Sequence, residues 1–493
     1  MSRRRLLASA LALLGCVALA HGAYTLSRLV PIGTAYTAKT LCSGVFVSGR
    51  AAEAVLGEDV RADNHPLLRL VTASVDAQRQ RASARLLGLA QRVAQYRPGL
   101  GCTLALDAGA DALAPAADSP VAAVHETQLP RAERPAPAVQ AEVDSAFDAD
   151  RAVRTRAVVV LQAGRVVAER YAEGFSAHMP LPGWSMSKTV TAVLAGILVK
   201  EHRLALDSAD LLPEWRTPGD PRARITLDQL LRMTEGLAFV ERYQDARSDV
   251  VVMLFGTGDS SGYAAAKPLD SAPGTRWRYS SGTSNVLIRT LRAASGRDAS
   301  AFRAFPRTAL FERIGMRHSV FEPDASGMPL ASSYVYASPH DWARFGQLLL
   351  QDGVWMDQRI LPPGWMGYMT QLTPQSAERG FGAHVWLRVP QPYHSRAASP
   401  PTLPADAYHM VGHEGQLLSV VPSRRLVLLR LGLTREPAVW DHEAFLARVI
   451  DALEAPDPGA EATVGAGAPD MTHATGRHPR MAHPEVIAAS ILE

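Results

Sequence analysis

The order of apolar segments between residues 140 and 454 constrains the fold of this chain most strongly. Residues 157–161 and 165–171 read as strands, and the Gln-Ala-Gly turn at 162–164 joins them as a hairpin. Two further apolar strands, 416–421 and 426–433, close the region, and helical patterns fill its middle. This order predicts an α+β domain with an antiparallel sheet flanked by helices.

The N-terminus has the pattern of an export signal. Basic residues 3–5 precede an apolar run over 6–17, and Ala18-Leu19-Ala20 is a small-x-small cleavage site. We therefore expect residues 1–20 to be a signal peptide and the protein to be exported to the periplasm. A second interpretation stays open, in which an uncleaved segment anchors the protein to the inner membrane. The run to residue 20 is short for a membrane span, which needs about 20 apolar residues.

Export bears on whether the cysteines form a disulfide. If Cys16 leaves with the signal, Cys42 and Cys102 are the only two that remain. An oxidising compartment favours their pairing, so we predict a disulfide. The alternative is two unrelated buried thiols.

Composition divides the rest of the chain. Residues 31–107 contain strand-like runs rather than long helices, with candidates at 67–71 and 84–90, and are predicted to form a small β-rich accessory module. Residues 108–139 are rich in Ala and Pro and read as an extended linker. The main α+β domain is placed at 140–454, and the polar, Pro/Gly-rich residues 455–493 read as a disordered tail. The net charge is only +3, and no basic block follows residue 5, so no nucleic-acid partner is expected.

A Ser-x-x-Lys motif, Ser185 to Lys188, stands at the start of an apolar helix. Residues three apart share one face of a helix, so the Lys188 amine can accept the Ser185 proton. The helix N-terminus also favours developing negative charge. Such a lysine must be neutral, which requires a pKa lowered by burial or by a nearby cation. The alternative is that Ser187 and Lys188 only cap the helix or lie on its surface.

Two later motifs add candidate groups. Tyr279, followed by Ser280-Ser281, has a hydroxyl that near a lysine cation could exist partly as phenolate and shuttle a proton to the leaving group. His413 to Gln416 precede an apolar strand, where Gly415 would let the backbone approach a substrate. The N–H of Gln416 would join that of Ser185 as an oxyanion hole. The alternatives are a structural tyrosine and an ordinary glycine turn.

Together the three motifs resemble the class C β-lactamase-like superfamily, which includes penicillin-binding proteins, β-lactamase-type carboxylesterases and 6-aminohexanoate-oligomer hydrolases. The resemblance covers about residues 140–452 and extends to the stretches 225–237, 273–287 and 337–350. It implies that Ser185 is acylated, Lys188 is its base and Tyr279 is the second acid/base. The same resemblance implies an oxyanion hole made by the N–H groups of Ser185 and Gln416.

Two departures from that family pattern bear on the substrate. His413 stands where β-lactamases have a lysine, and Ser281 stands where they have an asparagine. With Gly415 these are the predicted substrate-binding residues. The chain is therefore expected to hydrolyse small esters or linear amides rather than penicillins. A cell-wall D-Ala peptidase, a β-lactamase and a non-catalytic envelope-binding protein of this fold remain alternatives. No metal site and no cofactor are expected, since neither His-Glu pair continues as His-Glu-x-x-His.

Overall fold

The computed structural model describes residues 3–62, 64–106, 128–147, 152–436 and 439–455. Its N-terminal region begins with one long helix, α1 (Arg3–Cys42), and a single turn, α2 (Ala52–Ala54). A four-stranded antiparallel meander follows, in the order β1-β2-β3-β4. Its strands are β1 (Val71–Asp76), β2 (Arg81–Leu86), β3 (Leu89–Arg97) and β4 (Gly101–Leu104). The predicted β-rich N-terminal region is thus confirmed.

The prediction of strands without a long helix is wrong for residues 31–42, which form the end of α1. Ala35, Ala38 and Leu41 recur at helical spacing and are fully buried in the same core as the small residues of the meander. The helix also continues through Pro31.

Two strand boundaries also differ from those predicted. Residues Pro66–Leu70 form a short 3-10 helix, and the strand begins only at Val71. The run 84–90 is divided between β2 and β3 by a turn in which Leu87 and Gly88 both have positive φ. Residues 84–90, predicted as one strand, thus contain the turn of a hairpin.

The predicted disulfide is confirmed. Cys42, the last residue of α1, is bonded to Cys102 in β4, with Cα atoms 6.0 Å apart. Both cysteines are fully buried. The bond joins the inner end of the long helix to the far edge of the meander.

The second region contains a five-stranded antiparallel sheet in the order β12-β13-β14-β5-β6. The strands of this region are β5 (Thr155–Gln162), β6 (Arg165–Tyr171), β7 (Leu181–Pro182), β8 (Ser319–Phe321), β9 (Val335–Ala337), β10 (Val354–Trp355), β11 (Gln358–Arg359), β12 (Tyr408–Gly412), β13 (Gln416–Val421) and β14 (Leu426–Gly432). Strands β7, β9 and β8 form a separate three-stranded sheet. Strands from both ends of the region therefore meet in one sheet, as predicted.

Ten α-helices within the described residues belong to this second region, and some of them pack on the two faces of the large sheet. They are α3 (Pro137–Ser145), α4 (Met186–Lys200), α5 (Leu227–Arg232), α6 (Asp249–Phe255), α7 (Ser260–Ala265), α8 (Ser281–Ser295), α9 (Ala299–Pro306), α10 (Pro339–Leu350), α11 (Trp365–Met369) and α12 (His442–Glu454). In β5, Val159 and Leu161 share one core with α4 and α10, while Val158 and Val160 share another with α3 and α12. This alternation explains why β5 is apolar throughout and confirms the predicted fold class.

The described residues up to 453 belong to one compact unit. Buried residues of the N-terminal meander and of the second region lie in the same hydrophobic core. Most of the predicted linker, at 107–127, and the tail from 456 lie outside the described residues. The division of the chain at residues 31, 108, 140 and 455 stays a prediction.

Candidate active site

Ser185 and Lys188 meet at the start of α4. Ser185 is the residue before the first helical position, and one turn later Lys188 Nζ lies 2.7 Å from Ser185 Oγ. Lys188 Nζ also donates to the Ser332 carbonyl at 3.2 Å. Trp184, immediately before Ser185, has a φ of +47°, a strained conformation for a bulky residue. The tight bend at Trp184 places Ser185 at the helix N-terminus with its hydroxyl against the amine.

The electrostatics of Lys188 suit a base. Burial of the ammonium lowers the Lys188 pKa from its ordinary 10.5 to about 8, and the carboxylate of Glu241 works in the opposite direction. Lys188 is 2% exposed. A measurable fraction of the amine is therefore neutral near physiological pH. Burial, one of the two causes expected from the sequence, produces this lowered pKa.

Tyr279 lies beside this pair, in the loop before α8. Lys188 Nζ lies 5.0 Å from the centroid of its ring, and the ring stacks on Trp386. Burial raises the pKa of the Tyr279 hydroxyl, a hydrogen bond with Ser185 lowers it, and Glu241 raises it further. The resting hydroxyl is therefore a neutral phenol, which differs from the partial phenolate expected from the sequence.

Ser281 is the first residue of α8 and is fully buried. Its N–H donates to Glu241 Oε2 at 2.8 Å, and its hydroxyl donates to Glu241 Oε1 at 2.5 Å. Burial raises the pKa of Glu241, while the Lys188 ammonium and the Ser281 bonds lower it. Glu241 is thus an acidic residue of the site that the sequence did not reveal. It accepts hydrogen bonds from both the N–H and the hydroxyl of Ser281.

The third motif forms a turn between β12 and β13. His413 lies between two aromatic rings, stacked on Tyr243 at 4.9 Å and edge-on to Trp184 at 5.3 Å. Burial lowers the pKa of His413, so the imidazole is neutral at pH 7. Glu414, whose φ is +61°, forms an ion pair with Arg435 at 3.5 Å.

The turn lies against the segment that carries the nucleophile. Gly412 pairs with Gln416 across the β12–β13 hairpin. A Cβ added at Gly412 would lie 2.2 Å from the Gly183 carbonyl oxygen and 3.2 Å from Trp184 Cβ. Gln416 therefore begins its strand next to residues 183–184. The backbone of Gly415 faces a buried arginine, Arg430, whose Nη1 would lie 2.3 Å from an added Cβ.

Tyr243 is a second residue that the sequence did not reveal. Its buried hydroxyl makes no hydrogen bond of good geometry within the described residues. Ser281 and Ser185 nevertheless lie near enough to lower its pKa, against the larger effect of burial. Glu241 and Tyr243 come from an irregular loop before α6, where no periodicity or motif marks them. In the described part of the chain no cluster of three acidic, His or Cys side chains could hold a metal.

An antiparallel sheet flanked by helices, with a serine–lysine pair at the N-terminus of a buried helix, defines a serine hydrolase of the β-lactamase-like class. The chain belongs to the beta-lactamase family, whose model matches residues 141–448. Over 225 residues it is 25% identical to the 6-aminohexanoate-dimer hydrolase of Paenarthrobacter ureafaciens. That alignment covers 43% of this chain and 56% of the relative, so the chain spans just over half of that relative's length.

Solved structures share the fold at low identity. A candidate 6-aminohexanoate-dimer hydrolase from Bacillus anthracis superposes with a TM-score of 0.52 and 20% identity, covering 66% of this chain and 88% of that one. A penicillin-binding protein homolog from Caulobacter crescentus superposes with a TM-score of 0.51 and 19% identity, covering 66% and 98%. At these identities the likeness concerns the fold alone.

Proposed function

We propose that this chain is a serine hydrolase that cleaves esters or linear amides through an acyl-enzyme on Ser185. The observation that carries the proposal is the 2.7 Å approach of Lys188 Nζ to Ser185 Oγ, with the amine buried and its pKa lowered to about 8. A neutral lysine at this distance can take the hydroxyl proton as the oxygen attacks a carbonyl.

In the proposed mechanism, neutral Lys188 removes the proton from Ser185 Oγ, which attacks the substrate carbonyl carbon. The N–H groups of Ser185 and Gln416 stabilise the negative oxygen of the tetrahedral intermediate. Tyr279, as a phenol, donates its proton to the departing alcohol or amine, and the Lys188 ammonium restores it. Water then attacks the acyl-enzyme with the same groups acting in reverse.

The polar groups of the site favour uncharged acyl parts. A β-lactam presents a carboxylate beside its ring, and a fixed ammonium can hold it. Here His413 is neutral and Ser281 is engaged by Glu241, so neither of these residues supplies a fixed positive charge for a carboxylate. The relative named a 6-aminohexanoate-dimer hydrolase supports a linear amide as one substrate class.

Two measurements test the substrate class and the main alternatives. A p-nitrophenyl ester is expected to give a higher kcat/KM than a chromogenic cephalosporin or a D-Ala-D-Ala peptide. Faster cephalosporin turnover would identify a β-lactamase instead, and faster release of D-Ala would identify a cell-wall peptidase. A fluorophosphonate probe should label the folded protein, whereas a non-catalytic envelope-binding protein would stay unlabelled.

We also propose that the protein is exported. The disulfide fits an oxidising compartment, and the stretch Leu13–Val47 is long and apolar enough to span a membrane. Leu13, Leu14 and Val17 are exposed, and α1 continues unbroken into the core, which favours an anchor over cleavage after residue 20. Recovery in the membrane fraction with an intact N-terminus supports the anchor. A soluble periplasmic protein that begins near residue 21 would support cleavage.

A further inference from the structure

Arg430 is a fully buried cation in β14, directly beneath the third motif. Its guanidinium donates to the carbonyls of Gly415 and Val153, each at 2.7 Å, and to the hydroxyls of Thr155 and Thr434. Its face also lies over the ring of Trp440, 4.6 Å from the centroid. Within the residues that the structure describes, no carboxylate forms an ion pair with it.

An unpaired buried charge is unfavourable, and an apolar side chain of similar volume would usually be tolerated better. Burial lowers the pKa of Arg430 to about 9, which still leaves the guanidinium charged at neutral pH. The surroundings of Arg430 therefore hold a positive charge through hydrogen bonds to neutral oxygens and not through an ion pair. Such groups are candidates for a functional role.

The contact with Gly415 joins this charge to the proposed oxyanion hole. The Gly415 carbonyl and the Gln416 N–H belong to one planar trans peptide, so they point in opposite directions. A guanidinium bound to that oxygen fixes the plane of the peptide and draws electron density toward the oxygen. Hydrogen bonds in series strengthen one another in this way, so the N–H becomes a better donor.

We propose that Arg430 is a positioning residue for catalysis, which holds and polarises the Gly415–Gln416 peptide so that the Gln416 N–H can stabilise the oxyanion. The inference rests on the proposed function, because it assumes that this N–H serves Ser185. Arg430 would act from the side of the peptide opposite to the substrate.

The local sequence leaves room for the guanidinium. A Cβ at Gly415 would lie 2.3 Å from Arg430 Nη1, and a Cβ at Gly432 would lie 2.5 Å from the same atom. Gly415 also has a φ of +82°, which favours glycine. The glycine of the third motif thus accommodates Arg430, in addition to any role toward substrate.

The rest of the turn is fixed around the same peptide. The Gln416 side chain donates to the Gly432 carbonyl at 2.7 Å and accepts from the Gly432 N–H at 3.0 Å. The N–H of Thr434 donates to the Glu414 carbonyl at 2.8 Å. These bonds hold the turn to β14, while its other side meets residues 183–184. Among the charged side chains at this turn, Arg430 binds the Gly415 carbonyl, whereas Arg435 pairs with the side chain of Glu414.

Arg430→Met tests the inference by removing the charge while keeping a long side chain. Arg430→Lys retains a cation, and Thr155→Val is the matched control, since it removes bonds to Arg430 on the side away from Gly415. We expect Arg430→Met to lower the acylation rate about ten- to a hundredfold with KM within about twofold, because loss of one oxyanion donor costs about a hundred- to a thousandfold. Arg430→Lys should recover part of that rate, and Thr155→Val should keep most of it.

A boronic acid gives a readout that a structural role would not change. Its adduct with Ser185 places an anionic oxygen near the oxyanion hole, so its affinity should fall in Arg430→Met in parallel with the acylation rate. Unchanged affinity and rate in a folded Arg430→Met protein would overturn the inference. An equal loss in Thr155→Val at equal thermal stability would do the same.

Two further variants, Gly432→Ala and Ser185→Ala, separate a folding defect from a loss of catalytic function. If Arg430→Met does not fold, Gly432→Ala crowds the guanidinium without deleting it, and a folded Gly432→Ala protein with the wild-type acylation rate overturns the inference. Ser185→Ala is measured in parallel. Full turnover by Ser185→Ala would contradict the proposed function itself, whereas loss of turnover there with no effect at Arg430 contradicts only the role of Arg430.

Discussion

Replacing Glu241 by glutamine should move the pH dependence of hydrolysis to lower pH. Glu241 raises the Lys188 pKa, against the larger lowering by burial, and the result is about 8. Glutamine keeps the shape of the side chain and an acceptor oxygen for Ser281 but carries no charge. With the carboxylate gone, the ammonium form loses a stabilising partner, so the Lys188 pKa falls.

The direction of the rate change follows from which form of Lys188 reacts. The base must be neutral, so the rate rises with pH and levels above the Lys188 pKa. With a pKa of about 8, about one tenth of the amine is neutral at pH 7, so a lower Lys188 pKa can raise the rate at that pH by at most about tenfold. Tyr279 has a raised pKa, and His384, whose pKa burial lowers to about 4, is already neutral. Neither titrates in this range.

The assay is kcat/KM for a p-nitrophenyl ester between pH 5.5 and 9, followed at the isosbestic wavelength of the released phenol. Glu241→Asp keeps the charge, and Asp245→Asn removes a partly exposed carboxylate from the same loop. Both controls should leave the acidic limb close to that of the wild type. An acidic limb in Glu241→Gln that stays in place, or that moves to higher pH, would refute the electrostatic role of Glu241.

Three further predictions follow from single side chains. Lys188→Arg should lower kcat/KM about a hundredfold or more, because a guanidinium does not act as a base. A near-wild-type rate in this variant would show that Lys188 contributes only its charge and is not the base. Burial raises the pKa of Glu235 from 4.5 to about 7. The folded state therefore binds this proton more tightly than the unfolded state does, and the free energy of unfolding falls as the pH rises from about 4.5 to 7. Glu235→Gln should therefore raise the free energy of unfolding at pH 8 by about 3 kcal/mol and have little effect at pH 4, as denaturant titrations at the two pH values would show. Cys42→Ser should lower the free energy of unfolding by about 2–4 kcal/mol, with Cys16→Ser as a neutral control, and an unchanged denaturation midpoint would contradict this.

Features that depend on short spacing could be predicted from the sequence. The three-residue separation of Ser185 and Lys188 on one helix determines their contact, and the structure joins them at 2.7 Å. The hairpin and closing strands likewise predicted the sheet, because alternation and turn residues are local signals. The disulfide followed from the number of cysteines together with the export signal.

Features that depend on distant partners could not be predicted in this way. Glu241 reaches Ser281 across the fold, and Arg430 reaches Gly415 from the neighbouring strand. The end of α1 is helical because its small residues pack in one core with those of the N-terminal meander. In each case the partner, rather than the local sequence, determines the conformation or the charge state.

The proposed function requires that Ser185 becomes acylated during turnover. Rapid quenching of the protein with a slow ester, followed by intact and peptide mass spectrometry, measures this directly. We expect one acyl group on the peptide that contains Ser185. It should appear within the burst of alcohol release and be absent from Ser185→Ala, which should also lose turnover. An acyl group on another residue, or steady turnover by a folded Ser185→Ala protein, would contradict it.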